Sequence, residues 1–510
     1  MDVRMPVDHG PRLAAAIGDR LRARPGRAIG AALFAVMAVW SVLTPLFAGP
    51  DETSNMVKAA AVVRGELVGT GQPVTVQDSY FRTTVAIDPR FGNPNQIPWC
   101  FAPYPAEPAC DRPMQDVTVV EDPPYTNVGR YPPVAFALPG VATVLGPTNA
   151  AVRAARLINA AWTAALLGIG VGIALRRSGR STVTLLVVLS PMVLFLGSIV
   201  SPSGPEVSAG LALWMLAAPL LRGELTTRAD RVGLWVVVVT LVTARPIGAV
   251  LALAIVAVVW AAHGCSSPAA LMRRHATTVA SAALAVAFMG VWYLQVFAVN
   301  LGRSVVADQP SIGATRELLR SLGHIPGLLA EMVGNFGWLD TPSPSLVVAV
   351  WLGAFGAVAV ASAAGSHGRR RAAVLSVPVA AVALSVYLDI DYYRILRTFG
   401  VQGRHLLPLA FGVALVGSDR LRIGPRSTVV AAAVWVALQW TCGLFALRRY
   451  AVGVAPDNFI DVLRAPVWRP PLGVPLTLAL LAAALAATAT ALVTAGGTVT
   501  AAADADGASA

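Results

Sequence analysis

Residues 31–47 read AALFAVMAVWSVLTPLF, without a charge, and Ala48-Gly49-Pro50-Asp51-Glu52 follows directly. An apolar stretch of this length is typical of a helix that crosses a membrane. Two adjacent carboxylates then stand where the helix should leave the bilayer. Because carboxylates are costly in lipid, we expect this pair to face a cavity or the water boundary. We expect the other spans to be arranged around the pair, with Asp51 as a catalytic base.

The composition is that of a membrane protein. Of the 510 residues, 56% are hydrophobic and 13% are charged, against about 25% charged residues in an average soluble protein. The mean hydropathy is +0.65, and apolar runs of membrane-spanning length recur along the whole chain. We therefore predict an all-α polytopic membrane protein with about 12 transmembrane helices and a large first extracytoplasmic loop.

The net charge of +12 raises the question of a nucleic-acid partner. Most arginines, however, stand in short clusters between the apolar runs, and cytoplasmic loops of membrane proteins are enriched in Arg and Lys. Topology therefore explains the charge, and we expect membrane lipids but no nucleic acid as partners. With a cytoplasmic N-terminus, five clusters fall inside: Arg176–Arg180, Arg222–Arg231, Arg273–Arg274, Arg369–Arg371 and Arg420–Arg426.

The same topology predicts how the chain is divided. Both termini are cytoplasmic, the first apolar run is an uncleaved span, and the small, polar C-terminal tail is expected to be disordered. The predicted segments are a cytoplasmic N-terminal segment (1–27), the first transmembrane helix (28–48), an extracytoplasmic loop with interfacial helices (49–156), transmembrane helices 2–12 (157–495) with an outer loop at 300–345, and the tail (496–510).

The first outer segment is rich in proline, which predicts a compact, loop-rich layer on the membrane surface. Its run VAFALPGVATVLG (134–146) is short for a crossing and is interrupted by Pro139-Gly140, so we expect it to lie along the interface. Cys100 and Cys110 stand ten residues apart in this segment. In an extracytoplasmic loop they are expected to form a disulfide; the alternative is two free thiols.

Two short apolar runs, 231–243 and 246–262, meet at Ala244-Arg245-Pro246. Proline removes a backbone donor and disfavours helix in the residue before it, so the span breaks here, as two short helices or as one kinked helix. An arginine at membrane depth is a functional candidate that requires an anionic partner. Alternatively, Arg245 extends to the lipid headgroups.

We assign candidate roles to six residues. Asp51 and Glu52 are the catalytic candidates, although a carboxylate pair also marks the end of many spans. Lys58 follows Asp51 by two helical turns and so can share its face. Arg404 and His405 follow a flexible Gln-Gly, and outer guanidinium groups can clamp a phosphate or bind anionic lipid headgroups. Lys58, Arg245, Arg404 and His405 are the predicted phosphate-binding residues.

The chain carries no histidine or cysteine spacing of a zinc site, no P-loop, no dinucleotide-binding glycine motif and no nucleophile elbow. Cytoplasmic nucleotide chemistry is therefore not indicated. No metal site is predicted either, because one acidic pair supplies too few ligands for a closed site. Whether a divalent metal assists as a cofactor stays open.

The order of several short motifs resembles that of the polyprenyl-phosphate-dependent glycosyltransferases of the GT-C type. Over roughly residues 28–420 the chain is most similar to a bacterial family of predicted membrane proteins of unknown function. Asn55 stands where that family usually has histidine, and His405 where it has tyrosine. The motifs are Pro50-Asp51-Glu52, Tyr131-Pro132-Pro133, Arg153–Asn159, Pro191-Met192 and Gln402–Pro408.

The resemblance implies an inverting transfer of a sugar from a polyprenyl-phosphate-linked donor to a cell-envelope glycan or lipid acceptor, on the outer face of a bacterial plasma membrane. Asp51 would take the proton of the acceptor hydroxyl. Arg245 or Arg404 would stabilise the charge that develops on the leaving phosphate.

Two other functions are compatible with the same residues. A transporter or flippase for a lipid-linked or anionic solute would use the arginines, but needs acids or broken helices near the middle of the membrane. The alternative is a noncatalytic membrane scaffold, which needs neither the arginines nor acids within the membrane.

Overall fold

The structure is a computed structural model, and it describes residues 24–71, 82–92, 98–110, 113–114, 123–178, 180–265, 267–297, 312–454 and 459–508. Most of the predicted N-terminal segment, with Arg12, Arg20 and Arg22, therefore lies outside the described residues. Residues 300–311 of the predicted outer loop do so as well.

The chain is mostly helical, as the sequence predicts. The helices are α1 (Pro25–Leu43), α2 (Glu52–Val62), α3 (Val134–Gly140), α4 (Asn149–Ile173), α5 (Thr182–Val188), α6 (Pro191–Ser198), α7 (Ser203–Leu221), α8 (Arg228–Ala244), α9 (Gly248–His263), α10 (Pro268–Arg274), α11 (Ala276–Trp292), α12 (Ala314–Val333), α13 (Ser345–Ala364), α14 (Gly368–Leu396), α15 (Gly403–Ala410), α16 (Gly412–Gly417), α17 (Pro425–Val452), α18 (Asp461–Arg464) and α19 (Val474–Ala508).

Eight helices in the described part of the chain are long and apolar enough to cross a membrane: α1, α4, α7, α11, α13, α14, α17 and α19. This confirms a polytopic helical membrane protein. The predicted count of about 12 is not confirmed, because it requires four shorter segments to cross as well: α5 with α6, α8, α9, and α15 with α16.

The buried centre of the bundle is formed by α1, α4 and α7. Helices α1 and α4 approach closely through glycine: a Cβ atom on Gly26 would lie 2.6 Å from the carbonyl oxygen of Gly168. Small residues of this kind let membrane helices pack backbone to backbone. Trp40 of α1 and Trp214 of α7 are fully buried. Trp40 packs against the rings of Phe195 and Phe336, which fixes the last turn of the first span.

The arginine clusters meet at one end of the bundle, which we call the arginine-rich face. Arg176 and Arg177 lie 3.7 and 3.5 Å from the carboxylate of Asp230. Arg274 donates to the Gly223 carbonyl oxygen at 2.8 Å, and Arg370 pairs with Asp419. The clusters that the sequence assigns to one side of the membrane are thus gathered on one side of the structure.

The opposite end carries the described part of the first outer segment, and we call it the loop face. Three two-residue strands lie here: β1 (Thr70–Gly71), β2 (Thr83–Thr84) and β3 (Tyr125–Thr126). They form an antiparallel sheet in the order β1–β2–β3, with Thr70 opposite Thr84 and Thr83 opposite Thr126. A second antiparallel pair consists of β4 (Asn335–Phe336) and β5 (Thr341–Pro342).

Several boundaries differ from the sequence expectation or refine it. The break at Arg245-Pro246 separates two helices, α8 and α9, and so settles the alternative of one kinked helix. The run after Pro133 forms α3 and a short 3-10 helix, whose Val144 and Leu145 side chains are exposed, as expected at an interface. Residues 496–508, predicted to be a disordered tail, continue α19; their alanines favour helix.

Candidate functional site

Asp51 stands between the first span and α2, at the loop face. Its backbone is left-handed, with φ of 56°, a conformation that Asp adopts more readily than most residues. The turn leaves 51% of the side chain exposed, and one carboxylate oxygen, Oδ2, accepts a hydrogen bond from Nη2 of Arg404 at 2.5 Å. The other oxygen, Oδ1, has no partner within the described residues, so it is free to accept a proton.

Glu52 points away from Asp51, into the protein. Its carboxylate forms a bidentate pair with Arg156 of α4, at 2.7 Å to Nε and 2.6 Å to Nη2, and both side chains are fully buried. The same carboxylate accepts from the backbone N–H groups of Gly49 at 3.2 Å and Val200 at 3.0 Å. The two predicted catalytic carboxylates therefore lie in different environments. Both oxygens of Glu52 are bonded to groups that hold the fold together.

Arg156 completes this buried cluster and ties it to the end of α1. Its guanidinium donates to the carbonyl oxygens of Ser41 and Thr44, both at 2.8 Å, and of Pro45 at 2.7 Å. The Ser41 carbonyl lies in the last turn of α1, and those of Thr44 and Pro45 follow the helix. At a helix C-terminus such carbonyls lack intrahelical donors. Sequence reasoning quoted Arg156 within a motif but missed this role, because its partners lie more than one hundred residues away in sequence.

Arg404 is the centre of the site. Only 4% of its side chain is exposed, and beyond the bond to Asp51 its Nε and Nη1 atoms have no hydrogen-bond partner in the described part of the chain. It occupies the first turn of α15, whose Gly403 N–H donates to Oε2 of Glu331 at 2.7 Å. A buried guanidinium with unused donors is costly unless a partner reaches it, and these donors suit a phosphate.

Arg245 lies at the break between α8 and α9, beside the N-terminus of α7. Its Nε is 3.4 Å from Oε2 of Glu206, and its Nη2 donates to Oγ of Ser203 at 2.7 Å. The anionic partner that a membrane arginine requires is thus Glu206. Arg245 and Arg404 both lie within electrostatic range of Glu206 and of His405, so the structure brings these predicted residues together.

His405 and Asn55, the two departures from the family pattern, have structural partners. The Nδ1 atom of His405 accepts from the backbone N–H of Gln402 at 3.2 Å and so caps α15. The side-chain amide of Asn55 donates to the Val200 carbonyl oxygen at 3.0 Å and is buried. Each residue stabilises a segment that carries Asp51 or Arg404.

Lys58 does not join the group around Asp51. Its amine is buried and donates to the carbonyl oxygens of Leu67 and Gly129, with the ring centroid of Trp292 at 6.0 Å. Burial lowers the pKa of Lys58 to about 7. A side chain that is 1% exposed and bound to two backbone carbonyls holds the outer layer together, whereas the sequence suggested a phosphate ligand.

The loop closed by Cys100 and Cys110, here called the disulfide loop, lies beside α17. Cys100 and Cys110 form a disulfide, with Cα atoms 6.3 Å apart. Buried Arg449 of α17 donates to the carbonyl oxygens of Phe101 at 2.7 Å and Glu107 at 2.6 Å, and its Nε lies 3.0 Å from Asp340. This arginine anchors the disulfide loop to the bundle. Within the described residues, no cluster of three or more His, Cys, Asp or Glu side chains is placed to hold a metal ion.

Chemically, the site combines an exposed carboxylate oxygen with two guanidinium groups at the edge of the membrane. It can accept a proton from a substrate and neutralise an anion in the same place. Glu331, which orders the start of α15, carried no signal in the sequence, because it lies within what reads as an outer loop.

Comparison with known proteins gives two matches. The sequence pattern of the family described as "Predicted membrane protein (DUF2142)" matches residues 34–413. The crystal structure of ArnT from Cupriavidus metallidurans in the apo state aligns over 90% of this chain and 75% of that chain, with 15% sequence identity and a TM-score of 0.42. No curated protein matches the sequence.

Proposed function

The chain belongs to the family of predicted membrane proteins DUF2142, and from this premise we propose that it is a membrane glycosyltransferase of the GT-C type. It transfers a sugar from a polyprenyl-phosphate donor to a glycan or lipid acceptor of the cell envelope. The ion pair of Asp51 with Arg404 carries the proposal. It sets a free carboxylate oxygen beside a buried guanidinium whose Nε and Nη1 are unused. The motifs around both residues support it, since they resemble that superfamily.

The proposed reaction is an inverting displacement. Oδ1 of Asp51 takes the proton of the acceptor hydroxyl while the hydroxyl oxygen bonds to the anomeric carbon. The bond from that carbon to the donor phosphate oxygen breaks, and its electron pair stays on the phosphate. The products are the glycosylated acceptor, a free polyprenyl phosphate and a protonated Asp51, which then releases its proton to water.

The two arginines would stabilise the phosphate. Arg404 offers Nε and Nη1 without breaking its bond to Asp51, and Arg245 is held by its ion pair with Glu206 at 3.4 Å. Such preorganised donors stabilise the charge that develops on a leaving group, and removing one typically costs about 10²–10³-fold in rate. Glu206 offsets the charge of Arg245 and Asp51 that of Arg404, so the site without substrate does not hold two uncompensated cations.

This function sets the orientation of the protein in the membrane. We assign the loop face, with its disulfide, to the outside of the bacterial plasma membrane, where lipid-linked sugars meet envelope acceptors. Both termini are then cytoplasmic. The arginine-rich face lies in the cytoplasm, in agreement with the enrichment of arginine in cytoplasmic loops.

The direct test uses purified protein in lipid, a panel of radiolabelled polyprenyl-phosphate sugars and a crude envelope acceptor fraction. Asp51→Asn keeps a carbonyl oxygen for Arg404 but removes the base. We expect wild type to move label to the acceptor and the variant to lose about 10²–10⁴-fold in rate. Asp88→Asn is the matched control, because Asp88 is a partly exposed loop carboxylate bonded to Arg90, two residues later, at 2.7 Å.

Equal transfer by wild type and Asp51→Asn would show that Asp51 is not the base. If neither protein transfers label although both bind the donor, the transporter function becomes the better explanation, and uptake of the donor into vesicles is then measured.

A further inference from the structure

A groove runs along the membrane-facing side of the bundle, between α5, α13 and α17. Its volume is about 410 Å³, and apart from Arg426 and Ser427 it is lined by apolar side chains. This volume falls within the range of about 300–1,000 Å³ that is usual for small-molecule sites. The outer rim includes exposed Val430, whereas Trp351 and Trp435 in the wall are buried. The groove is therefore open towards lipid and closed towards the bundle.

Helix α5 forms one wall of the groove with Val183, Leu186 and Val187, just before the interruption between α5 and α6. Helix α5 ends at Val188 and α6 begins at Pro191, so carbonyl oxygens at the break lose their helical donors. The indole N–H of Trp351 donates to Val187 O and that of Trp435 to Leu189 O, both at 3.0 Å. Gln439 adds a second bond to Leu189 O at 2.8 Å. With these acceptors satisfied, the wall presents only apolar surface.

The length of the groove matches one leaflet. Lining residues on α17 run from Arg426 to Leu438, and twelve residues of α-helix rise about 18 Å. Half of a bilayer's hydrocarbon core is about 15 Å thick. A chain that enters beside Arg426 therefore reaches the middle of the membrane at the deep end of the groove.

The mouth of the groove is positively charged. Arg426 is exposed, and its guanidinium has no ion-pair partner within the described residues. It lies in the first turn of the 28-residue α17, where free N–H groups and the helix dipole also favour an anion. Ser427 adds a hydroxyl at the same level.

We propose that this groove binds an anionic phospholipid from the leaflet at the arginine-rich face. One acyl chain fills the apolar groove, and the phosphate lies on the guanidinium of Arg426. The site is at the opposite end of the bundle from Asp51, so it is separate from the proposed sugar transfer and does not depend on it.

The test is native mass spectrometry of the full-length protein in detergent, titrated with phosphatidylglycerol and, separately, with phosphatidylcholine. We expect one phosphatidylglycerol to bind about tenfold more tightly than phosphatidylcholine, because the choline ammonium group offsets the charge of its own phosphate and so weakens the contact with Arg426. Arg426→Gln should abolish that preference. Ala431→Trp, which fills the groove, should remove the bound molecule of both lipids.

Two matched variants lie outside the groove. Arg422→Gln removes an arginine four residues earlier on the same face, and Val429→Trp adds the same bulk to an exposed position of α17 that does not line the groove. Both should bind like wild type.

Three results would overturn the proposal. The first is an equal loss of the preference for phosphatidylglycerol in Arg422→Gln and Arg426→Gln, which would mean that the lipid is attracted to the arginine-rich face in general. The second is tight binding of inorganic phosphate alone, which would mean an anion site without a lipid. The third is a dimer that Ala431→Trp dissociates while lipid binding is unchanged, which would mean that a second copy of the chain covers the groove.

Discussion

Asp51 and Glu52 are adjacent in sequence and opposite in environment. Asp51 is half exposed and bonded through one oxygen, whereas Glu52 is fully buried and bonded to Arg156, Gly49 and Val200. A pair of carboxylates at the end of a span can be recognised in the sequence. Which member faces water is decided by Arg156 on α4 and by the 199–200 turn, and no local pattern contains that information.

This difference predicts that neighbouring substitutions have different effects. Glu52→Gln leaves the buried Arg156 without a counter-charge, and breaking such a pair costs about 3–5 kcal/mol. We expect most of that variant to be lost as unfolded or aggregated protein, while Asp51→Asn stays folded and inactive. Size-exclusion profiles and thermal unfolding in detergent measure this. A stable but inactive Glu52→Gln would return Glu52 to the catalytic role that the sequence suggested.

At the scale of elements, α12 places Arg404. Glu331 of α12 accepts from the Gly403 N–H, and Asp389 of α14 accepts from Val401 N at 3.4 Å while its other oxygen lies 3.1 Å from Nδ1 of His324. The segment that precedes α15 is thus held by hydrogen bonds to α12 and α14. The sequence predicted the helix break at Arg245 because proline has a direct backbone effect, but it predicted an outer loop where α12 stands.

We expect Glu331→Ala to lower sugar transfer about tenfold or more, because one hydrogen bond to a charged group contributes about 1.5–3 kcal/mol. Without the bond from Gly403 N–H to Glu331, the first turn of α15, which positions the Arg404 side chain, is less ordered. If Arg404 binds the donor phosphate, the effect appears mainly as a higher KM for the donor. Glu331→Gln keeps an acceptor oxygen and should restore most of the rate.

Arg320→Ala on the exposed side of the same helix is the control. A loss of rate in Glu331→Gln as large as that in Glu331→Ala would mean that the charge of Glu331, and not its bond to Gly403, is what matters.

At the scale of the whole molecule, the distribution of arginine is the most informative pattern in the sequence. The clusters are separated by dozens of residues, yet they meet at one end of the bundle. The number of crossings is harder to predict, because α8 and α9 have 17 and 16 residues, fewer than the roughly 20 residues of an upright span. Packing makes such short helices part of the bundle: both contact α7, and α8 also packs against α11 and α9 against α14.

The orientation predicts which positions a membrane-impermeant thiol reagent reaches in intact cells. Thr70→Cys at the loop face and Thr226→Cys at the arginine-rich face are a matched pair, since both threonines are exposed. Cys265→Ser and Cys442→Ala remove the free thiols. We expect labelling of Thr70→Cys in intact cells, and of Thr226→Cys only after the cells are permeabilised, because the arginine-rich face is cytoplasmic. The reverse pattern would place Asp51 in the cytoplasm, and transfer to an acceptor outside the cell would then be impossible.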